Sequence, residues 1–419
     1  MNVRRSAATL AASAVLCVGA APAALADVAT PSPSPVIPSG LFGKADPAYD
    51  GVWRQSFALL AQQTVGEKPA QQAVDWLAGQ QCADGSFPAF RADTAKPCDA
   101  SAFIDSNATS VAVQALTAVG GHADTVKKAV GWLKSVQNQD GGWSNNPGGA
   151  MDSGSDANST ALVIRALEAA GEKPAEVKSK GGKSPYESLL TFQLDCSAEP
   201  AADRGAFAFQ PAGGKLSASA DATAAAVLAG LGTGPVVAPS ATDTPAAPLT
   251  CPATAGDPAA AAQGGAGYLA EALKKDGHLT ALTPGADQST ADTGNTADAV
   301  IALAAAGHKQ SAAGALEWLK ANSAAWAKDN PAGLATLILT AHATGTDPKS
   351  FGGTDLVAAL NATGPAPQNA SAKASEQPAK KKDEAKDSGS NVWWMILAGA
   401  AAGMGIGILL SGRRKKNQL

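Results

Sequence analysis

Aromatic and histidine side chains are scarce in this 419-residue chain, and each scarcity removes a class of function. Phe, Trp and Tyr together make up 5 % of the residues, too few to line a large aromatic pocket. The four histidines (His122, His278, His308 and His342) are isolated from one another, whereas a zinc site needs imidazoles or thiolates clustered at ligand spacing. We therefore expect no metal and no resident cofactor.

Positive charge is also scarce between residues 27 and 391. This segment carries all 36 acidic residues but only 26 of the 32 basic ones, so its net charge is near −10. An acidic body is a poor binder of nucleic acid. We expect no nucleic-acid partner.

The two ends of the chain indicate export and anchoring. Residues 1–26 read as a signal peptide, with Arg4 and Arg5 before an apolar stretch and a small-x-small cleavage site at its end. Residues 392–411 carry no charge, and 20 helical residues span about 30 Å, the thickness of a bilayer core. The basic tail 412–419 follows and marks the cytoplasmic side. The sequence predicts a single-pass protein of the cell membrane, in contact with lipid, whose body lies outside the cytoplasm.

Four cysteines remain once the signal peptide is removed, and an exported chain favours their pairing as two disulfides. Three connectivities are open. We expect nearest neighbours to pair, Cys82 with Cys98 and Cys196 with Cys251.

Composition divides the rest of the chain. Residues 27–40 are a Pro/Ser linker and residues 364–391 a disordered stalk. Residues 41–363 form the folded body. Within it, the Pro/Ala-rich insertion 232–263 has too many turn formers to pack, and we interpret it as a decoration rather than a flap over the body.

A repeat runs through this body. AVDWLAGQQCADGSFPAF at Ala73 matches AVGWLKSVQNQDGGWSNN at Ala129, and weaker copies begin at Ser188, Gly267 and Ala315. Each copy precedes a polar bend and an alanine-rich helix such as SDANSTALVIRALEAAG. The period is about 50 residues, so each unit is a helical hairpin. The rings of Phe87 and Trp143 are expected to pack between hairpins.

Counting the units predicts the architecture. If the helix at Asp50 joins the inner set and the helix after Phe351 joins the outer set, there are six of each. The sequence therefore predicts an all-α fold, a closed α6/α6 toroid whose first hairpin is split between the two ends of the chain, followed by the transmembrane helix. Closure leaves no hairpin face exposed.

The stretch QNQDGGW, Gln137 to Trp143, resembles the repeat of the prenyltransferase and squalene–hopene cyclase superfamily, which shares the α6/α6 toroid. The toroid of the vitamin B12 carriers is similar. The resemblance implies three enzymatic possibilities, namely a terpene cyclase, a prenyltransferase or a glycosidase on the same kind of toroid.

The residues argue against catalysis. Cyclases of this family use a DxDD acid, and the nearest pattern here, D-x-N-x-T at Asp105 and Asp156, has Asn in place of the second acid. The family's zinc ligands are missing. A glycosidase needs two carboxylates about 5–10 Å apart, and Asp105, Asp156, Asp221 and Asp292 are candidates. Each also lies at a helix start, where an acid is expected as a cap.

We therefore favour binding of a small molecule without chemistry, either a corrinoid-like ligand or an isoprenoid or other lipid, for delivery to a membrane transporter. A surface scaffold that recruits another protein is the alternative. The expected ligand site is the rim of the inner helices together with the start of the first one. Its residues are Tyr49, Trp53, Arg54, Asp105, Asn107, Asp156, Asn158, Asp221, Asp292 and Asn295.

Overall fold

A computed structural model describes residues 37–99, 104–234, 236–251, 256–281 and 290–368. Within these ranges no helix is long and apolar enough to cross a membrane. The expected signal peptide (1–26), most of the stalk (364–391), the membrane helix (392–411) and the basic tail (412–419) lie largely or wholly outside the described residues. Among the described residues, nearly all of the regular secondary structure is helical, with only two three-residue strands, which confirms an all-α fold.

Six helices pack side by side in a closed ring, each against the next and the last against the first. These inner helices are α1 (Gly51–Thr64), α3 (Ser106–Val119), α5 (Ala157–Ala169), α7 (Ala220–Gly230), α9 (Thr293–Ala305) and α12 (Pro331–Thr344). Their interiors are rich in buried alanine, which allows close packing between neighbours.

Six outer helices flank the ring. They are α2 (Gln71–Gly79), α4 (Ala123–Ser135), α6 (Pro185–Leu190), α8 (Pro258–Lys274), α10 (Lys309–Asn322) and α13 (Leu356–Asn361), and a four-residue helix, α11 (Ala324–Ala327), precedes α12. Each outer helix packs on the inner helix before it, so the first hairpin is not split. The first and last hairpins of the ring still meet, because Asn361 Oδ1 accepts a hydrogen bond from Gln62 Nε2 at 2.7 Å.

The starts of four inner helices, α3, α5, α7 and α9, are each fixed by a hydrogen bond between consecutive repeats. The backbone N–H of Trp143 donates to Thr160 Oγ1 at 3.1 Å. The same bond recurs from Phe87 to Thr109, from Phe207 to Thr223 and from Leu279 to Thr296. The threonine of D-x-N-x-T is therefore a structural residue. Leu279 belongs to β1 (Leu279–Ala281), which pairs antiparallel with β2 (Thr290–Asp292).

The rings of the repeat are core residues, as the sequence predicted. Trp143 is fully buried, and its Nε1 donates to the Leu133 carbonyl at 2.7 Å. The turn before it needs glycine, because Gly141 has φ +94° and a Cβ there would lie 2.5 Å from the Ser184 carbonyl oxygen. The QDGGW turn thus joins neighbouring hairpins rather than facing a ligand.

Both expected disulfides are present. Cys82 pairs with Cys98 and Cys196 with Cys251, with Cα–Cα distances of 5.7 and 5.9 Å. The expected pairing is confirmed.

The Pro/Ala-rich insertion differs from the expectation in two respects. Its last residues belong to α8, which begins at Pro258. Residues 236–251, here called the strap, also pack: Val237 is 8 % exposed within the core, the Thr244 N–H donates to the Gly307 carbonyl at 2.9 Å, and Cys251 is tied to Cys196. Turn formers do not prevent burial here, because a disulfide and backbone hydrogen bonds hold the segment in place.

Candidate functional site

The amino-terminal ends of the inner helices lie together at one end of the ring, here called the mouth. The Ser106 N–H at the start of α3 bonds to the Asn145 carbonyl before α5, and the Ala157 N–H at the start of α5 bonds to the Phe209 carbonyl before α7. Neighbouring starts are therefore held in register. Most of the expected site residues lie on this end.

Three of the expected acids are N-caps, as the capping interpretation predicted. Asp105 accepts a hydrogen bond from the Asn107 N–H at 2.7 Å. Asp156 is buried and accepts from both the N–H and the hydroxyl of Ser159, each at 2.7 Å. Asp292 accepts from the N–H and the Nδ2 of Asn295 at 3.0 and 2.7 Å. These carboxylates are engaged in holding helix starts.

Asp221 is not a cap, which corrects the expectation that an acid caps this helix. Ser219 caps α7, accepting from the Ala222 N–H at 3.2 Å. Asp221 comes two residues after the cap and occupies the position of Asn107 and Asn158 in their repeats. Its Oδ2 accepts from Asn158 Nδ2 at 2.7 Å. The side chain at the middle position of the motif can therefore contact the equivalent side chain of the next repeat.

Two amide groups at this middle position are incompletely satisfied. The Oδ1 atoms of Asn107 and Asn158 are buried and have no hydrogen-bond partner among the described residues. A buried amide oxygen without a donor costs about 1–3 kcal/mol, so these groups are placed at the expense of stability. Such groups are rare in native structures and mark positions to examine for function.

The three expected site residues around the start of α1 have different surroundings in the structure. Tyr49 is 91 % exposed, whereas the ring of Trp53 lies 4.9 Å from that of Phe57. Arg54 is 2 % exposed; its Nη1 pairs with Asp50 Oδ1 at 3.0 Å and its Nη2 donates to the Ala45 carbonyl at 2.8 Å. Its charge is thus used to hold the segment before α1.

A small cavity lies about midway along the inner helices, below the mouth. Its volume is about 60 Å³, and all six inner helices contribute to its wall. The lining residues are Phe57, Leu60, Val111, Gln114, Leu162, Arg165, Leu228, Val237, Asp298, Ile301 and Leu339. Val237 brings the strap into this wall, and Arg165 Nη2 donates to the Gly234 carbonyl at 3.2 Å just before the strap.

Asp298 and Arg165 are charged residues of this cavity that the sequence analysis missed. The available signal was a charge inside an apolar helix, ADAVIAL for Asp298 and LVIRALE for Arg165. The side chain of Asp298 is half-buried and lines the cavity. Its carboxyl has no hydrogen-bond partner among the described residues.

The electrostatics of this end favour protonated carboxyls. Loss of solvent and the charge of Asp221 raise the pKa of Asp298 to about 7, and Arg165 opposes the rise. Desolvation is also the main cause that raises the pKa of Asp105 to about 6, although backbone N–H groups counteract it. Desolvation and the charge of Asp292 also raise the pKa of Asp221, although its side chain is exposed.

Within the described ranges, no three His, Cys, Asp or Glu side chains converge as a metal-binding group.

Comparison with known proteins confirms the resemblance that the repeat carries. Residues 103–187, which include α3, α4 and α5, match the family model of the squalene-hopene cyclase C-terminal domain. This part of the chain carries a squalene–hopene cyclase-type repeat. Two D-x-N-x-T motifs and the QDGGW turn lie inside the match.

Two solved structures are similar at low identity. A protein from Actinoplanes is 17 % identical over 71 % of this chain and 91 % of its own, with a TM-score of 0.47. A sugar epimerase from a ruminal bacterium is 14 % identical over 67 % of this chain and 80 % of its own, with a TM-score of 0.41. No curated protein sequence matches the chain.

Proposed function

We propose that the ring is a ligand-binding domain that captures a small molecule at its mouth without catalysis, and that residues 392–411 hold it on the outer face of the cell membrane. The observation that carries the proposal is the cavity below the mouth, in which the Asp298 carboxyl has no hydrogen-bond partner among the described residues. A concave, mostly apolar site with a few polar groups is the usual form of a small-molecule site. Two disulfides support an extracytoplasmic body.

The state of the carboxylates supports binding over catalysis. Asp105, Asp156 and Asp292 accept hydrogen bonds from their own helix starts, which leaves Asp221 and Asp298 as the mouth and cavity acids outside the caps. In the two D-x-N-x-T motifs an amide stands where the cyclase pattern has an acid. An amide cannot protonate an alkene.

A second candidate is a carbohydrate-active enzyme, and one observation favours it. Asp298 has a pKa raised to about 7 by its loss of solvent, which is the state of a general acid near neutral pH. Asp221 would be the second carboxyl. Loss of turnover in Asp298→Asn on any glycoside would support this candidate and exclude the purely binding role.

The size of the cavity limits which part of a ligand can enter it. About 60 Å³ corresponds to roughly two water molecules, so only a small group enters it. A corrinoid would have to lie above the mouth, whereas a chain-like ligand could place one end inside. In both cases the ligand would pass to or from a membrane partner, such as a transporter.

Native mass spectrometry of the whole chain, purified in detergent from its own host, tests the proposal. We expect a defined extra mass that leaves on denaturation, and its value separates a corrinoid from a lipid or a sugar. The double variant Asn107→Ala, Asn158→Ala should lose it, while Asp124→Asn at the far end of the ring should keep it. A clean apo mass in every preparation would contradict the proposal and favour a scaffold that recruits a protein.

A further inference from the structure

The connection from α10 to α12 is much shorter than its counterpart between α4 and α5. The two outer helices carry the same Trp-Leu-Lys motif, which begins at Trp132 in α4 and at Trp318 in α10. After this motif the chain runs to the cap Asp156 in one case and to the cap Asn330 in the other, and the second path is less than half as long. The QDGGW turn is missing from the shorter connection.

Between α4 and α5 this turn fills the space among three helices. The Trp143 N–H bonds to Thr160 on α5, and the indole N–H bonds to the Leu133 carbonyl on α4. On the third side, a Cβ on Gly142 would lie 2.5 Å from Ser188 Oγ on α6. By their places after the motif and after the helix caps, the corresponding residues around the shorter connection are Leu319 on α10, Leu334 on α12 and Ala359 on α13.

A pocket of about 290 Å³ lies at this place, between α10, α11, α12 and α13, and Ala359 is part of its wall. Trp326, in the short connection itself, does not enter the pocket, because its ring lies against Gly294 and Gly333 at the starts of α9 and α12. The apolar side chains of the floor are at most 3 % exposed, and they are Leu334, Leu337, Phe351 and Leu356. The space that a buried indole occupies in one repeat is therefore lined, but not filled, by the described residues of the other.

Ser323 gives an independent sign that a ligand belongs here. It is 3 % exposed and lines the pocket. Its N–H donates to the Leu319 carbonyl at 3.0 Å, but its hydroxyl has no hydrogen-bond partner among the described residues. Buried hydroxyl groups are nearly always hydrogen-bonded, because an unpaired one is costly. A ligand with one polar hydrogen would satisfy it.

We infer that this pocket binds a free aromatic compound of two fused rings with one N–H or O–H group, such as an indole. The ring lies against Leu337 and Phe351 and donates its polar hydrogen to Ser323 Oγ. An apolar cavity of about 150 Å³ holds a benzene molecule, so a pocket of about 290 Å³ accommodates two fused rings. The volume suits a ring alone rather than a whole turn of a partner protein, which favours a free ligand.

Charge at the rim favours a neutral compound. Lys320 Nζ pairs with Glu317 Oε1 at 2.8 Å, and the next rim residues, Lys328 and Asp329, have opposite signs. The site therefore selects by ring size and by the single hydrogen bond. It lies on the outer side of the ring and is separate from the mouth, so it is a second site beyond the proposed function.

Isothermal titration calorimetry on the whole chain, in detergent and with detergent alone as the blank, tests the inference. The probes are indole and 1-methylindole, which has nearly the same shape but no N–H. We expect indole to saturate one site and 1-methylindole to bind about three- to tenfold more weakly, since one hydrogen bond is lost. Absence of a saturable signal with indole would overturn the inference and leave a side chain of another protein, or of residues outside the described ranges, as the occupant.

Two variants test the hydrogen bond. Ser323→Ala should weaken indole about three- to tenfold and leave 1-methylindole unchanged, because only indole donates to the hydroxyl. Ser135→Ala removes an exposed serine from the end of α4 and should change neither affinity. Equal weakening of both probes by Ser323→Ala would contradict the placement of the ring.

Two further variants test the location. Ala359→Phe fills the pocket and should weaken both probes at least tenfold, whereas Ala358→Phe, at the exposed neighbouring position, should weaken neither. Melting curves confirm that each variant is folded. Full affinity in Ala359→Phe would overturn the inference. Loss of indole binding in the mouth variant Asn107→Ala, Asn158→Ala would overturn it as well, because the ring would then bind at the mouth.

Discussion

The two ends of the ring are built by different means. At the mouth, successive repeats supply the same three residues. These are a capping side chain, a threonine that fixes the preceding turn, and a residue between them that faces the neighbouring repeat. At the opposite end a single non-repeated segment, the strap, brings Val237 into the cavity wall. The repeats therefore encode the wall and the mouth, and one insertion closes the ring from the other side.

The same contrast separates residues that hold the fold together from residues that can serve a specific function. Equivalent positions do the same structural work in several repeats, as the threonines Thr109, Thr160, Thr223 and Thr296 do. Asp221 and Asp298 have no such shared role. A position that differs between repeats is where a repeat protein can place a specific function.

The largest effect should come from a charge in the cavity wall. Val237→Asp would bury a carboxylate near Asp298, and we expect a loss of about 3 kcal/mol or more in the free energy of unfolding. Urea denaturation measures this loss. The neighbouring Ala238 is exposed, so Ala238→Asp should change stability by less than about 0.5 kcal/mol. Equal effects would show that the strap does not seal the ring.

A smaller effect should depend on pH. The pKa of Asp298 is raised to about 7 in the folded state, mainly by desolvation, so its contribution to stability is present at low pH and is lost as the pH rises to about 7. Asp298→Asn should match the original chain near pH 4 and be more stable at pH 8, by about 2 kcal/mol. Melting curves across this range measure the difference. A constant difference at all pH values would mean that the Asp298 carboxyl does not titrate differently on folding.

The smallest effects should distinguish a cap from a mouth residue. Asp156→Ala removes two hydrogen bonds at the start of α5 and should cost about 1–2 kcal/mol. Asp221→Ala removes an exposed carboxylate that repels its neighbours, so stability should stay within about 0.5 kcal/mol or rise. Chemical denaturation of both variants checks the pair. A large loss of stability in Asp221→Ala would show that Asp221 has a structural role.

Much of the fold follows from local pattern. The helix starts at Asp105, Asp156 and Asp292 are visible because a capping side chain precedes an alanine-rich run, and the spacing of the QDGGW turns sets the hairpin period. Nearest-neighbour disulfides were also correct. The candidate site was harder to predict from the sequence. Asp221 was taken for a cap, but Ser219, two residues earlier, can cap a helix equally well and does so. Arg54 lies near the start of α1, but its guanidinium pairs with Asp50, a contact that the sequence did not indicate.

By itself the sequence determined the six inner and six outer helices and their closure, because periodicity, capping and a 50-residue repeat are local signals that act along the chain. Tertiary structure alone decided what lies at the centre. Residues 57, 114, 165 and 298 come from four inner helices and share one cavity only because the ring closes, and Val237 joins them because the strap turns inward. The desolvation that raises the pKa of Asp298 arises from this assembly, since no single helix can remove its carboxyl from water.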